Sequence, residues 1–246
     1  MQGYTVDAIV LGRSNLGERD RLVTLLSRDR GKVRVVVRGA NKTDSKLAGL
    51  VQPFSRSRLD LWSGRSLDGL RSGEVLESFR RLRTDFEGIA YASCMAEITG
   101  YIAQEDEKDE PLYLLLLTCF RALERAMDHV LVGAFFCVRV IKVLGVFPVL
   151  DQCVVCGGPV DASSPLRFSQ GGLTCARCRA SGGLGTKIST HLCRLAESLR
   201  DIHPRELAGF RASREDLLAL TELFLDYAEF QLDRRVNSRS FLDILG

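Results

Sequence analysis

The 246-residue sequence is poor in the signatures of catalysis. It contains no G-x-x-x-x-G-K-[ST] phosphate loop, no G-x-G-x-x-G, no H-E-x-x-H and no G-x-S-x-G. The usual sequence grounds for nucleotide hydrolysis, dinucleotide binding, zinc proteolysis and serine hydrolysis are therefore missing. Histidine is scarce, and none of His129, His191 or His203 is followed two residues later by Glu, so the H-x-E of a zinc deaminase is absent. The segment GGLGTKIST lacks phosphate-loop spacing and reads as the lead into a helix. Long apolar runs are missing too. The most apolar stretch, Val130 to Val138, is followed by Arg139 and Lys142 and falls well short of the ~18 residues of a membrane span. The opening MQGYTVDAIVLG reads as a strand, without the basic start and apolar core of a signal peptide, so a soluble cytoplasmic protein is expected.

What is present is an uneven charge. The formal net charge of +3 conceals 17 Lys and Arg against 9 Asp and Glu in residues 1–83, and 17 against 22 in residues 84–246. A basic N-terminal unit that meets a polyanion, joined to a more neutral body, is the simplest reading. Residues 1–80 carry strand signals. Tyr4–Gly12, RLVTLLS and KVRVVVRG are rich in strand formers, Asp29-Arg30-Gly31 supplies a turn, and Asn41–Pro53 reads as a loop or short helix. Phe54–Trp62 and Leu67–Phe79 complete five strands, with an insert between the third and fourth. That is the layout of an OB-fold barrel, although other small β-barrels share it.

From Thr84 the apolar period becomes helical, with Phe86, Ile89, Ala90, Cys94, Ile98 and Ile102 on one face. Further helices are expected from Pro111 to about Asp128, over His129–Leu144, over Ser189–Asp201, and from a Ser213 cap to about Asp233. The expected class is α+β. A barrel over 1–80 precedes a helical domain over 81–150 and 184–246, into which a cysteine module over 151–183 is inserted.

That module holds Cys153-x2-Cys156, eighteen residues, then Cys175-x2-Cys178. Two thiolates three residues apart on a tight turn reach one ion, and two such knuckles supply the four tetrahedral ligands of a closed structural zinc site. A full shell leaves no open position for water or substrate, so a scaffold is expected rather than a catalyst; no residue is assigned a catalytic role. A redox CxxC would need a βαβ setting and an exposed low-pKa thiol. A module that has lost its metal and folds as a hairpin stays open as the bland alternative. Cys94, Cys119, Cys137 and Cys193 sit at helical, mostly apolar positions and read as small buried hydrophobes.

On the third strand Lys32, Arg34 and Arg38 alternate with Val33, Val35 and Val37, which sets a cationic face against an apolar one. Arg19, Arg21, Lys42, Lys46, Arg56 and Arg58 extend the field, and these nine residues are the candidate contacts to a nucleic-acid backbone. Arg13, Arg28 and Arg30 enlarge it, while Glu18, Asp20 and Asp29 will neutralise some neighbours. Aromatic residues for base stacking are few. Phe54, Trp62 and Tyr4 are candidates, and each could equally be barrel core.

Taken together, the chain resembles the RecO family of bacterial recombination mediators over nearly its whole length. AIVLGRSNLGERDRLVTLLSRDRGKVRVVVRGANKTDSKLAGLVQPFS looks like the family's N-terminal barrel, with its Gly17-Glu18-Arg19-Asp20 turn and the Arg38-Gly39-Ala40 after the third strand. LGVFPVLDQCVVCG, FSQGGLTCARC and the SRSFLDIL tail are similar to later signatures. The resemblance implies an OB-fold, a helical domain with an inserted zinc module, and binding of single- and double-stranded DNA. It further implies annealing of complementary strands without ATP, joint action with RecR, and displacement of the single-stranded-DNA-binding protein by RecA. A nucleoid-associated place follows. An RNA-binding or ribosome-associated adaptor is the alternative from another class, since small barrels and zinc knuckles also serve RNA. A zinc-dependent or thiol enzyme is a third.

Overall fold

A computed structural model describes residues 3–42, 45–179 and 185–244. The chain begins with β1 (Gly3–Leu16), β2 (Asp20–Ser27) and β3 (Gly31–Val37), passes through the short helix α1 (Lys46–Leu50), and returns with β4 (Arg56–Trp62) and β5 (Asp68–Glu77). These strands close into a barrel in the order β1-β2-β3-β5-β4. All pairings are antiparallel except the short parallel junction of β3 with β5, where Val35 meets Asp68 and Val36 meets Gly69. The OB-like barrel expected from the strand count is thus present, and α1 occupies the expected insert.

The alternation along β3 is realised as read: Val33, Val35 and Val37 enter the barrel core with Val6, Val10, Leu25, Leu59 and Leu61. Leu47 and Leu50 of α1 pack against the same core. At the β2–β3 turn Gly31 has φ +60, and a Cβ there would stand 2.0 Å from the Glu107 carbonyl oxygen, so only glycine fits.

By internal contact the chain separates into two units, Met1–His129 with Val236–Gly246, and Val130–Arg235. This grouping follows packing and so runs across the change from strand to helical periodicity near residue 80, for a physical reason. Helices α2 (Phe86–Ile102) and α3 (Glu110–Glu124) share their packing with the barrel. Phe120 of α3 is fully buried with Phe54 and Phe79 set edge-on to it, ring centres 5.5 and 6.0 Å away. Tyr113 donates its hydroxyl to Asp7 of β1 at 2.7 Å. The C-terminal residues also belong here. Glu97 of α2 accepts hydrogen bonds from the backbone N–H of Asn237 and Ser238 and from the Ser238 hydroxyl, ahead of α8 (Arg239–Asp243).

The second unit contains α4 (His129–Val143) from Val130 onwards, which is buried on nearly every face apart from its basic residues. It also holds the cysteine module with β6 (Leu166–Arg167), β7 (Gly172–Leu173) and α5 (Ala176–Arg179), then α6 (Thr190–Asp201) and α7 (Arg214–Leu232). The Ser213 hydroxyl caps α7 by accepting from the Asp216 N–H. Tyr227 of α7 donates to the Val146 carbonyl at 3.0 Å, and Phe168 packs edge-on against its ring. The expected limits of the cysteine module and of the last helical part, at 183 and 184, lie outside the described residues. Among the described residues no helix is long and apolar enough to cross a membrane.

Candidate functional site

The cysteine module brings its four sulfurs together. Sγ of Cys153, Cys156, Cys175 and Cys178 all lie within 4.8 Å of one another. Cys156 and Cys175 are 3.8 Å apart, far beyond a disulfide bond. Four ligands at ~2.3 Å in a regular tetrahedron stand about 3.8 Å from each other, so the spacing suits one zinc-sized ion.

Local structure explains the convergence. The Gly157 N–H donates to the Cys153 carbonyl at 2.8 Å and the Cys153 N–H to the Gly158 carbonyl at 2.9 Å, closing the first knuckle. Gly157 takes φ +67. In the second pair Cys175 immediately precedes the single turn of α5 and Cys178 lies on it, with the Arg179 N–H reaching the Cys175 carbonyl. Backbone N–H groups of Cys175, Cys156 and Val155 aimed at the Cys153 sulfur hold that thiol down to about 6. Hydrogen bonding to the Cys156 sulfur, with desolvation and the other two sulfurs, pushes Cys178 up to about 12. Sulfurs this crowded resist losing all their protons together unless a cation joins them, and the donor set therefore fits a metal. Cys94, Cys119, Cys137 and Cys193 lie apart from the cluster and are buried, as small hydrophobes would be.

The nine basic candidates fall into three kinds. Arg19, Arg38, Lys42 and Lys46 are exposed at one end of the barrel. The segments that carry Arg19, Arg38 and Lys42 are tied together, with the Asn41 N–H donating to the Arg19 carbonyl at 3.1 Å and the Gly39 N–H to the Asp20 carboxylate at 2.8 Å, while Lys46 opens α1. Arg21, half-buried, spends its Nε on the Asn41 side chain at 2.5 Å.

Lys32 and Arg34 lie further along β3. The Lys32 ammonium donates to the Gly100 carbonyl at 3.1 Å, and Arg34 pairs with Glu105 at 2.8 Å. On β4 the two arginines part company. Arg58 is exposed and paired with Glu74, whereas Arg56 is half-buried between Asp7 and Glu77. Glu77 in turn receives Arg121 of α3 at 2.8 Å. Hydrogen bonding to Asp7 is the main cause that raises Arg56 above the ordinary guanidinium range. Arg56 is thus engaged in joining strands to helix.

Of the aromatic candidates, Phe54 is core at 7% exposure. Tyr4 bonds Asp68 and lies under the Arg30 guanidinium at 4.4 Å. Trp62 is half-buried on the outer surface of the barrel.

Sequence reasoning missed a groove of about 820 Å³ lined by Leu11, Arg13, Phe54, Arg83, Tyr101 and Phe241 among others. Burial lowers both arginines below the ordinary guanidinium value. The lining comes from β1, β2, the turn before β4, the segment between β5 and α2, α2 itself and the C-terminal residues, so no local spacing could have announced it.

Two family models match this chain. The one described as recombination protein O N terminal covers residues 1–79, and the one described as recombination protein O C terminal covers residues 83–240. The chain is 34% identical over 248 residues to the DNA repair protein RecO of Pelotomaculum thermopropionicum, covering 100% of this chain and 96% of that one. It is 35% identical to the DNA repair protein RecO of Symbiobacterium thermophilum, over 98% and 97%. Similarity to the DNA repair protein RecO of Desulforudis audaxviator reaches 41% over 73% of this chain and 72% of that one.

Proposed function

The chain belongs to the RecO family, and from that premise we propose that it is a DNA repair mediator that holds DNA on its barrel through backbone phosphates. It binds single and double strands, anneals complementary strands without ATP, and acts with RecR to let RecA load where the single-stranded-DNA-binding protein covers a gap. Its place is the nucleoid in the cytoplasm. The observation that carries this reading is the group Arg19, Arg38, Lys42 and Lys46. Among the described residues no carboxylate is paired with any of these exposed side chains; Arg19, Arg38 and Lys42 sit on segments bonded to one another, and Lys46 opens α1. Cations left over after internal pairing are those able to neutralise phosphates.

Annealing asks for two strands held close with their repulsion reduced, and an exposed cationic end of a barrel supplies that without a reacting group. On this reading Cys153, Cys156, Cys175 and Cys178 hold one structural zinc ion, which fixes the module and fills its coordination with sulfur. The ion would supply folding energy rather than chemistry.

The test is an annealing assay with two complementary oligonucleotides in the absence of nucleotide, run beside direct binding to each strand. Faster annealing together with salt-sensitive binding supports the proposal. Binding without acceleration removes annealing. Failure to bind DNA, or tighter binding to matched RNA, overturns the DNA assignment.

A further inference from the structure

Outward-facing residues on four strands line up in one row. Leu22 of β2 is the register partner of Val36 of β3, Val36 of Gly69 of β5, and Gly69 of Trp62 of β4. Their neighbours Val23, Val35, Val37, Leu61 and Leu70 point into the barrel core. The row crosses about 14 Å of sheet, three strand spacings. It is apolar where the flanking outward positions of β3 are Arg34 and, just past the strand, Arg38.

Gly69 is what flattens the row. A Cβ there would stand 2.1 Å from the Trp62 ring, so the indole rests directly on the backbone of β5. The Arg38 guanidinium lies over the same ring, 5.5 Å from its centre. This is a loose cover beside the 4.4 Å of Arg30 on Tyr4, and Arg38 is exposed with Gly39 at φ +66 immediately after it.

We propose that Trp62 is a stacking platform for an unpaired base of single-stranded DNA, seated on Gly69 and covered in the free protein by Arg38. The inference rests on the DNA-binding reading above and adds to it a base-contacting residue. An indole held flat by a glycine offers a π-face to any base, and such stacking tolerates sequence. The displaced guanidinium of Arg38 then has the adjoining phosphate to pair with, beside Lys42 and Arg19. Tyr4 cannot serve in this way, because its hydroxyl is committed to Asp68 and the Arg30 above it is paired with Asp106. A duplex, whose bases are already stacked on one another, gains nothing from the platform, so it favours single strands.

Trp62 is the only tryptophan of the chain, so its fluorescence reports this position alone. The full-length protein is titrated with a labelled oligothymidylate and with an abasic strand of equal length, following indole emission and the label's anisotropy together. Expected are indole quenching by oligothymidylate, none by the abasic strand, and about tenfold weaker single-strand binding for Trp62→Ala with duplex binding unchanged. The salt slope of Trp62→Ala should match the wild type, because no cation is lost. Trp62→Phe, which keeps a ring in place, should retain most of the affinity and guards against a folding defect. Binding seen by anisotropy with a silent indole overturns the platform and leaves the DNA reading standing. Absence of any anisotropy change overturns both. Stronger quenching by a matched RNA strand overturns the assignment to DNA.

Discussion

Neutralising Lys42 and Lys46 together, as Lys42→Gln with Lys46→Gln, should halve the salt dependence of single-strand binding. The magnitude follows from taking Arg19, Arg38, Lys42 and Lys46 as the phosphate contacts, all exposed and none paired with a carboxylate among the described residues. Arg34 and Arg58 are matched by Glu105 and Glu74, and Arg56 by Asp7 and Glu77. Counting Arg19, Arg38, Lys42 and Lys46 as one phosphate each gives a slope of log affinity on log salt of about −2.8 on single strands. Raising salt from about 50 to about 200 mM then weakens binding about fifty-fold. With two cations removed the slope becomes about −1.4 and the same step costs only about sevenfold. Both lysines are exposed, so the fold should be untouched. The assay is fluorescence anisotropy of a short labelled oligonucleotide across a salt series, with Arg58→Gln as control. Because Arg58 is already neutralised by Glu74, its removal should leave the slope near the wild-type value. An unchanged slope in the double variant, or an equal loss in Arg58→Gln, would refute the assignment of these loops as the DNA contact.

Three further outcomes are expected. Cys153→Ser should abolish stoichiometric zinc, measured by elemental analysis of the purified protein, and make the remaining module thiols reactive to a thiol reagent in the native state; bound zinc in that variant would remove the four-sulfur site. Arg56→Met should destabilise the first unit by about 2 kcal/mol in denaturant unfolding, since Asp7 and Glu77 lose a charged hydrogen-bond partner, while leaving the DNA salt slope alone. A changed slope would return Arg56 to the DNA face. Burial alone would raise Glu97, yet the Ser238 and Tyr101 hydroxyls and the N–H groups of Ser238 and Asn237 outweigh it and hold the carboxyl at about 2. A folded-state value below the unfolded one stabilises at higher pH, so the stability gap between wild type and Glu97→Gln should be full above about pH 4.5 and shrink as pH falls towards about 2. A gap independent of pH over that window would contradict the role given to Glu97.

What could be read from the chain was what is local. The two CxxC pairs were legible because each knuckle is built within a few residues, and the long gap between them costs nothing to skip. The barrel was legible because Val33, Val35 and Val37 alternate with polar neighbours, a pattern with one physical solution when one face is buried. Parity gives a face but not a partner, and there the reading stops. Arg56 and Arg58 share an outward parity on β4, yet cross-strand neighbours and a helix about 65 residues away decide that one is a strut and the other a surface residue. Nor could the pattern show that Tyr113 and Phe120 of α3 belong with the barrel, because a buried aromatic on a helix looks the same whatever it meets.

That pairing also changes what the basic N-terminal half means. Its surplus of positive charge suggested a broad cationic surface, but much of it is spent within the molecule, Arg28 on Glu110 and Arg30 on Asp106 as well as those on β3 and β4. Among the described residues Arg19, Arg38, Lys42 and Lys46 are left without a carboxylate partner, as are the exposed Arg65, Arg71, Arg80 and Arg81, and Arg38 lies over the only tryptophan. A protein that holds a strand through a few phosphates and a stacked base binds it with modest salt dependence and releases it readily. Release is as necessary to annealing as capture, because paired bases leave the indole and the new duplex then keeps only its phosphate contacts. On the proposed function, then, the internal ion pairs do two jobs: they tie barrel to helices, and they withdraw Arg34, Arg56 and Arg58 from competition for the strand's phosphates, which eases release of the product.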